Sequence, residues 1–268
     1  MHDIKHEGNK FSLAFSPCPN DTFMMDALVH HKIAHCNEFD VSLMDIQALN
    51  ESALKCLYDV TKISAAALPQ VSDEYQLLDA GSAMGFGCGP IVVSSNKYSL
   101  DDLVNSVIGI PGRHTTAHYL FNHFVPEVRN KKFLLFSDIE QKILDKEIEA
   151  GVLIHEGRFT YADHGLSLIA DLGALWEKKY HLPIPLGVIV CRKSLGTRLA
   201  TEMQTLISKS IEYAFEQPWS SREYIKQHAQ ELDDHVIDQH IQLYVNRFSI
   251  SMGEEGHRAI QFLLSNPI

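Results

Sequence analysis

What most constrains this chain is the way short apolar runs take turns with helical spacings. Residues 11–15 have strand character, and Phe23, Met24, Ala27 and Leu28 then fall at helical intervals, with Asn20 and Asp21 as candidate caps. Residues 39–46 alternate as a strand, 47–56 resume the helical spacing, 59–64 return to a strand and 65–71 form a short helix. Repeated β-α units require a mainly parallel sheet covered by helices, and ligands of such sheets gather beyond the carboxyl ends of the strands.

The texture changes at 81–89, where GSAMGFGCG precedes the apolar run 90–94 and predicts a turn feeding a crossing strand. Beyond it the pattern predicts a helix over 100–104, a strand over 107–110, a helix over 115–124, a strand over 132–136, a helix over 138–148 and a strand over 151–154 that ends at His155. A helix over 174–179 and the proline-rich stretch 181–187 lead to the apolar run 188–191, the expected return crossing. From 194 onward the pattern is helical throughout, over 195–216, 221–230, 234–245 and 253–264. Crossings near 89–95 and 186–193 thus set off a smaller α/β lobe, 93–190, from a larger discontinuous one, 1–92 plus 191–268. Two lobes joined by two strands leave a central cleft that hinge motion closes around a small ligand.

Composition removes several classes of partner. The 34 Asp and Glu against 23 Lys and Arg leave a net charge of −11, without a Lys/Arg cluster, so no nucleic-acid partner is expected. No apolar run reaches the roughly 18–20 residues of a membrane helix, and MHDIKHEGNK has no apolar signal core, so the expectation is a cytoplasmic protein without a membrane partner. Five widely spaced cysteines without C-x-x-C suggest neither a disulfide framework nor a zinc knuckle. The choice between monomer and homodimer stays open.

Four segments could carry chemistry. In SPCPNDTF, Ser16, Asn20 and Thr22 lie where a strand enters a helix whose first N–H groups suit an anion; a rigid capped turn is the plainer reading, and Cys18, with no base visible beside it, reads as a spectator. In GRHTTA, Arg113, Thr115, Thr116 and Ala117 combine a cation, hydroxyls and a helix start, against the alternative of simple capping. His114 and His118 lie four apart without a third ligand, so no metal is expected. His155 directly follows a buried strand, where an imidazole can exchange a proton in the cleft or serve as a hydrogen-bonded structural group. Lys62, Ile63 and Ser64 end another strand, while His240 reads as one of several solvated histidines. No dinucleotide loop is present, so no cofactor is expected.

Together FSPCPNDTFMMDALVH, TKIS, GCGPIVV, PGRHTTAHYL, EAGVLIHEGRFTY, DLGALWE, LPIPLGVIV and YVNRFSISMGEEG resemble the 1,4-dihydroxy-6-naphthoate synthase family, in order and over nearly the whole chain. The resemblance implies an α/β two-lobed type II periplasmic-binding-protein-like fold with two hinge strands and a central ligand cleft. It further implies a lyase of the futalosine route to menaquinone, converting cyclic dehypoxanthine futalosine to 1,4-dihydroxy-6-naphthoate without a cofactor. It places the general base on His155 and ligand contacts on Lys62, Ile63, Ser64, Thr116 and Ala117. Ile63 stands where the family pattern has Leu, and Gly157 where it has Ser. For the substrate carboxylate, Lys62 and Arg113 are the expected cations. The alternatives are a chorismate dehydratase of the same pathway, expected to lack SPCPNDTF and GRHTTA, and a non-catalytic small-anion-binding protein, which would need no base at His155.

Overall fold

The computed structural model describes residues 10–230 and 232–266. The chain begins with β1 (Lys10–Phe15), β2 (Glu38–Leu43), β3 (Val60–Ser64), β4 (Tyr75–Leu77) and β5 (Ala83–Gly85). It crosses to β6 (Ile91–Ser94), β7 (Ile108–Ile110), β8 (Lys131–Phe133), β9 (Ala150–Leu153) and β10 (Ser167–Asp171), and returns as β11 (Ile184–Arg192). One sheet runs β2-β1-β3-β11-β4 with β5 also on β11, and the other runs β10-β6-β9-β7-β8. The β-α repeats make the parallel pairs β1–β2, β1–β3, β7–β8 and β7–β9, whereas the strands next to the crossings pair antiparallel.

Each sheet buries the face its sequence makes apolar. Helices Pro19–Val29 and Thr197–Glu216 cover the first sheet through Met24, Leu28, Met203 and Ile207. A second core draws on both sheets, with Ile63, Val188 and Val190 from one and Val92, Ile108 and Val152 from the other. The last quarter is helical among its described residues, as its periodicity predicts, with one further turn at Arg247–Ile250.

The departures from the sequence reading have local causes. β4 and β5 are three residues each, too short to show a period, and β5 lies inside the glycine-rich stretch. The proline-rich stretch is largely strand: β11 already runs from Ile184, and Pro185 is accommodated where the register with β5 shifts. The passages between sheets are therefore 86–90 and 181–183, and the boundaries read at 92/93 and 190/191 fall inside β6 and β11. Asn20 and Asp21 do not cap: the cap position of helix Pro19–Val29 is Cys18, without a side-chain bond, and both polar residues are buried.

The first passage is held by backbone contact. A Cβ on Gly89 would lie 2.3 Å from the Gly173 Cα, so the glycines of GCGP and DLGALWE let a crossing strand touch helix Leu172–Tyr180 directly. Leu172 N–H donates to the Pro90 carbonyl at 2.9 Å, and Arg158 donates to the Gly89 carbonyl and to Asp171 Oδ2 at 2.5 and 2.6 Å. Gly89→Ala is expected to lose about 1–3 kcal/mol by overpacking against backbone that has no rotamer to yield. An unchanged urea midpoint would show that the passage relaxes freely.

Candidate functional site

Between the sheets lies a cleft with about 620 Å³ of empty space, lined from the first lobe by Ser16, Asn20, Asp21, Lys62, Ser64 and Gly187 and from the second by Thr115, Thr116, Ala117, Ile154 and His155. Cys88 and Pro90 of the first passage, with Ile46, Ala83, Leu186 and Tyr244, complete its walls.

The floor is a buried polar chain. Lys62 Nζ donates to Asp21 Oδ1 at 2.7 Å and to the Gly81 carbonyl at 3.2 Å. Asp21 also accepts from Ser16 Oγ at 2.8 Å, Ser16 N–H at 3.3 Å and Asn20 Nδ2 at 2.7 Å. Lys62 and Asp21 expose only 4% and 2% of their side chains, so their charges are balanced by each other rather than by water. Gly187 on β11 makes room for the lysine, since a Cβ there would meet Lys62 Cε at 2.8 Å.

His155 follows β9 with φ of 56°, a left-handed conformation that costs a residue with a Cβ about 1–3 kcal/mol and persists only when its surroundings enforce it. Cys18 Sγ lies 3.4 Å from its Nδ1. The Phe136 ring tilts against it at 4.9 Å, and the His240 ring stacks nearly parallel at 6.0 Å. Burial lowers the His155 pKa from 6.5 to about 4; Asp21 and Asp45 oppose that shift and Lys62 adds to it. The imidazole is therefore neutral and able to accept a proton at neutral pH. Burial pushes the Cys18 thiol well above its ordinary value, so the neighbours are a thiol and a neutral ring, with no thiolate nucleophile.

The remaining predicted residues divide. Ser64 lines the cleft, its N–H donating to Asn50 Oδ1 at 2.8 Å and its Oγ accepting from Asn50 Nδ2 at 2.9 Å. Ile63 alternates to the opposite face of β3 and is wholly buried in the core, so its side chain does not reach the cleft. Thr115 caps helix Thr116–Phe124, accepting from His118 N–H at 3.2 Å. Thr116 Oγ1 donates to the Leu186 carbonyl at 2.8 Å and accepts from Ala66 N–H at 3.3 Å, joining the lobes, and Asn50 Nδ2 reaches the His114 carbonyl across the same gap at 3.3 Å. Arg113 is exposed and lies over the Phe133 ring at 4.5 Å, outside the cleft, because its side chain follows the outer face of the loop. Sequence reasoning missed Cys18 and His240: the first carries no local sign of its partner 137 residues away, and the second is fully buried, contrary to the solvated reading. Among the described residues no group of three or more His, Cys, Asp or Glu is placed to hold a metal ion, and no helix is long and apolar enough to cross a membrane.

Replacing one member of the floor pair strands the other. Lys62→Met is expected to cost about 3 kcal/mol or more in chemical denaturation, and adding Asp21→Asn to restore part of it. A single variant within about 0.5 kcal/mol of the parent would mean that the pair is not electrostatically coupled.

A family model described as menaquinone biosynthesis matches residues 11–266. The chain is 41% identical over 258 residues to a 1,4-dihydroxy-6-naphthoate synthase of Streptomyces coelicolor, covering 94% of this chain and 91% of that one. It is 43% identical over 258 residues to the enzyme of the same name from Thermus thermophilus, covering 94% and 92%. A crystal structure of a protein from Archaeoglobus fulgidus superposes with a TM-score of 0.91 at 36% identity over 97% of both chains. The alkanesulfonate-binding protein of Xanthomonas axonopodis pv. citri superposes at 0.68 with 10% identity over 89% and 85%, a likeness of fold alone. The architecture is thus periplasmic-binding-protein-like, and the chain belongs to the menaquinone-biosynthesis family, alongside the 1,4-dihydroxy-6-naphthoate synthases.

Proposed function

We propose that this chain is a carbon–carbon lyase that converts cyclic dehypoxanthine futalosine to 1,4-dihydroxy-6-naphthoate, with His155 as general base. The observation that carries the reading is a neutral imidazole facing the inter-lobe cleft beside a charge-balanced floor. The similarity to two 1,4-dihydroxy-6-naphthoate synthases supports the reaction.

The step is redox-neutral. His155 accepts the proton of a sugar-derived hydroxyl, and the O–H bonding pair becomes the second bond of a carbonyl. The carbon–carbon bond to the bicyclic ring breaks, and its electron pair passes into a ring carbonyl. That oxygen takes up the proton returned by the imidazolium, and aromatisation of the ring drives the cleavage. Lys62 is already paired with Asp21 and Arg113 lies outside, so the substrate carboxylate falls to the first-turn N–H groups of Thr116 and Ala117, which have no carbonyl partner within their helix. Ser64 Oγ accepts from Asn50 and keeps its own proton for the developing oxyanion. The lobes open and close about 86–90 and 181–183 in the cytoplasm, and closure excludes water from the reacting bond.

His155→Asn is expected to abolish product formation by purified protein while leaving folding and substrate binding close to the parent's. Release of naphthoate at the parent rate would place the base elsewhere. The pH profile of the closed complex offers a second test: with a pKa of about 4, His155 stays mostly neutral down to pH 5, so kcat, which reports the substrate-bound state, should hold level from pH 7 to 5. An ordinary histidine would lose more than about nine-tenths of the activity over that interval, and such a fall would contradict a base held neutral by its surroundings.

A further inference from the structure

The fully buried His240 contributes to no step above, yet every hydrogen bond around it is oriented. Asp21 is an acceptor, so Asn20 must turn its Nδ2 toward Asp21 Oδ1, at 2.7 Å, and its Oδ1 toward His240 Nε2, at 2.9 Å. His240 therefore carries its proton on Nε2. Its Nδ1 is a buried lone pair without a hydrogen-bond partner, 3.6 Å from Glu156 Oε1, and Glu156 is the residue that follows His155. The two imidazole planes differ by 7° at a centroid distance of 6.0 Å, and the Tyr244 and Phe159 rings also pack on His240, at 4.7 and 6.4 Å.

We propose that His240 is a positioning residue for His155: a flat, dry wall in the larger lobe against which the left-handed His155 of the smaller lobe is seated when the lobes meet. The proposal rests on the reading of His155 as the base. The other groups facing His155 are Cys18 and Asp21 from the start of the first helix, Lys62 from β3, Asp45 ahead of helix Ile46–Leu54, and the Phe136 ring. Of these neighbours, His240 is the one that meets the imidazole face in a near-parallel stack, and its own pKa is lowered first by burial and then by His155, so it adds no charge to the wall. Water admitted at that face would both loosen the ring and favour its protonated form.

The experiment compares the parent with His240→Ala, His240→Gln and His240→Phe. It measures kcat and KM on cyclic dehypoxanthine futalosine and titrates the His155 ring by NMR, the resonance being assigned by its loss in His155→Asn. The Ala and Gln variants are expected to lower kcat by about 10- to 100-fold with KM within about threefold, and to move the His155 midpoint up toward its ordinary value. The Phe variant, which restores a flat ring without the Asn20 bond, is expected to recover most of both. Folded Ala or Gln proteins with the parent's kcat and midpoint would overturn the proposal, as would a Phe variant no better than Gln. The ring titration reads the wall even if His155→Asn proves fully active, so failure of the base assignment and failure of the wall give different results.

Discussion

Lys62 and Asp21 are charged groups almost wholly withdrawn from water, and an ion pair in that position survives only when its remaining hydrogen-bonding capacity is also met. Asp21 meets this demand with four donors, from the Ser16 backbone and hydroxyl, the Asn20 amide and the lysine, while Lys62 adds the Gly81 carbonyl. These bonds bind the start of the first helix to β3 and to the loop ahead of β5, so the floor of the cleft is rigid in three elements at once. They also set a direction: because the carboxylate can only accept, the Asn20 amide has one orientation, and the tautomer of His240 follows from it. A charge pair thereby determines the hydrogen-bonding state of a ring that it does not touch.

The smaller lobe is matched to that floor by polar bonds across the gap. Thr116, Asn50 and Gln47 each bridge the lobes, the last through the His114 N–H at 3.1 Å, and Cys18 meets His155 in the same closure. The enclosure that these contacts create is the physical cause of the lowered His155 pKa, since desolvation outweighs the nearby carboxylates. Geometry and basicity are consequently coupled: whatever separates the lobes also returns water to the imidazole and makes it an ordinary histidine.

The parts of this arrangement that depend on local pattern were legible in the sequence, and the parts that depend on distant pairing were not. Periodicity placed a strand over 151–154 and a helix over 115–124, within a residue of the observed Ala150–Leu153 and Thr116–Phe124, because both signals are contained within a dozen residues. Thr115 shows the plainer reading winning, since its hydroxyl caps the helix. Asn20 and Asp21 looked like caps for the same local reasons, yet the buried lysine from β3 drew the aspartate inward, a tertiary demand that no window around residue 20 contains. Ile63 was assigned with its neighbours from the family resemblance, and strand alternation turns it into the core. Arg113 had the right charge in the right loop, but a loop does not fix the direction of a side chain. His240 lies 85 residues from His155 in the chain and belongs to a helix whose polar spacing resembles a solvated face; only the packing of that helix against the cleft removes it from water.

This fold is shared with an alkanesulfonate-binding protein, and a fold by itself does not decide between binding and catalysis. A binder that holds an anion by charge needs a cation free to face it, whereas among the described residues lining this cleft the one Lys or Arg is Lys62, already neutralised by Asp21. Removing that charge from direct ligand contact weakens simple electrostatic capture, but it leaves the neutral His155 imidazole able to keep its lone pair. In the proposed reaction, binding then relies on backbone dipoles and shape, and the imidazole stays available as proton acceptor because the nearby Lys62 charge is compensated by Asp21. In the proposed reaction the closure that traps the ligand also sets the protonation state of the imidazole assigned to act on it.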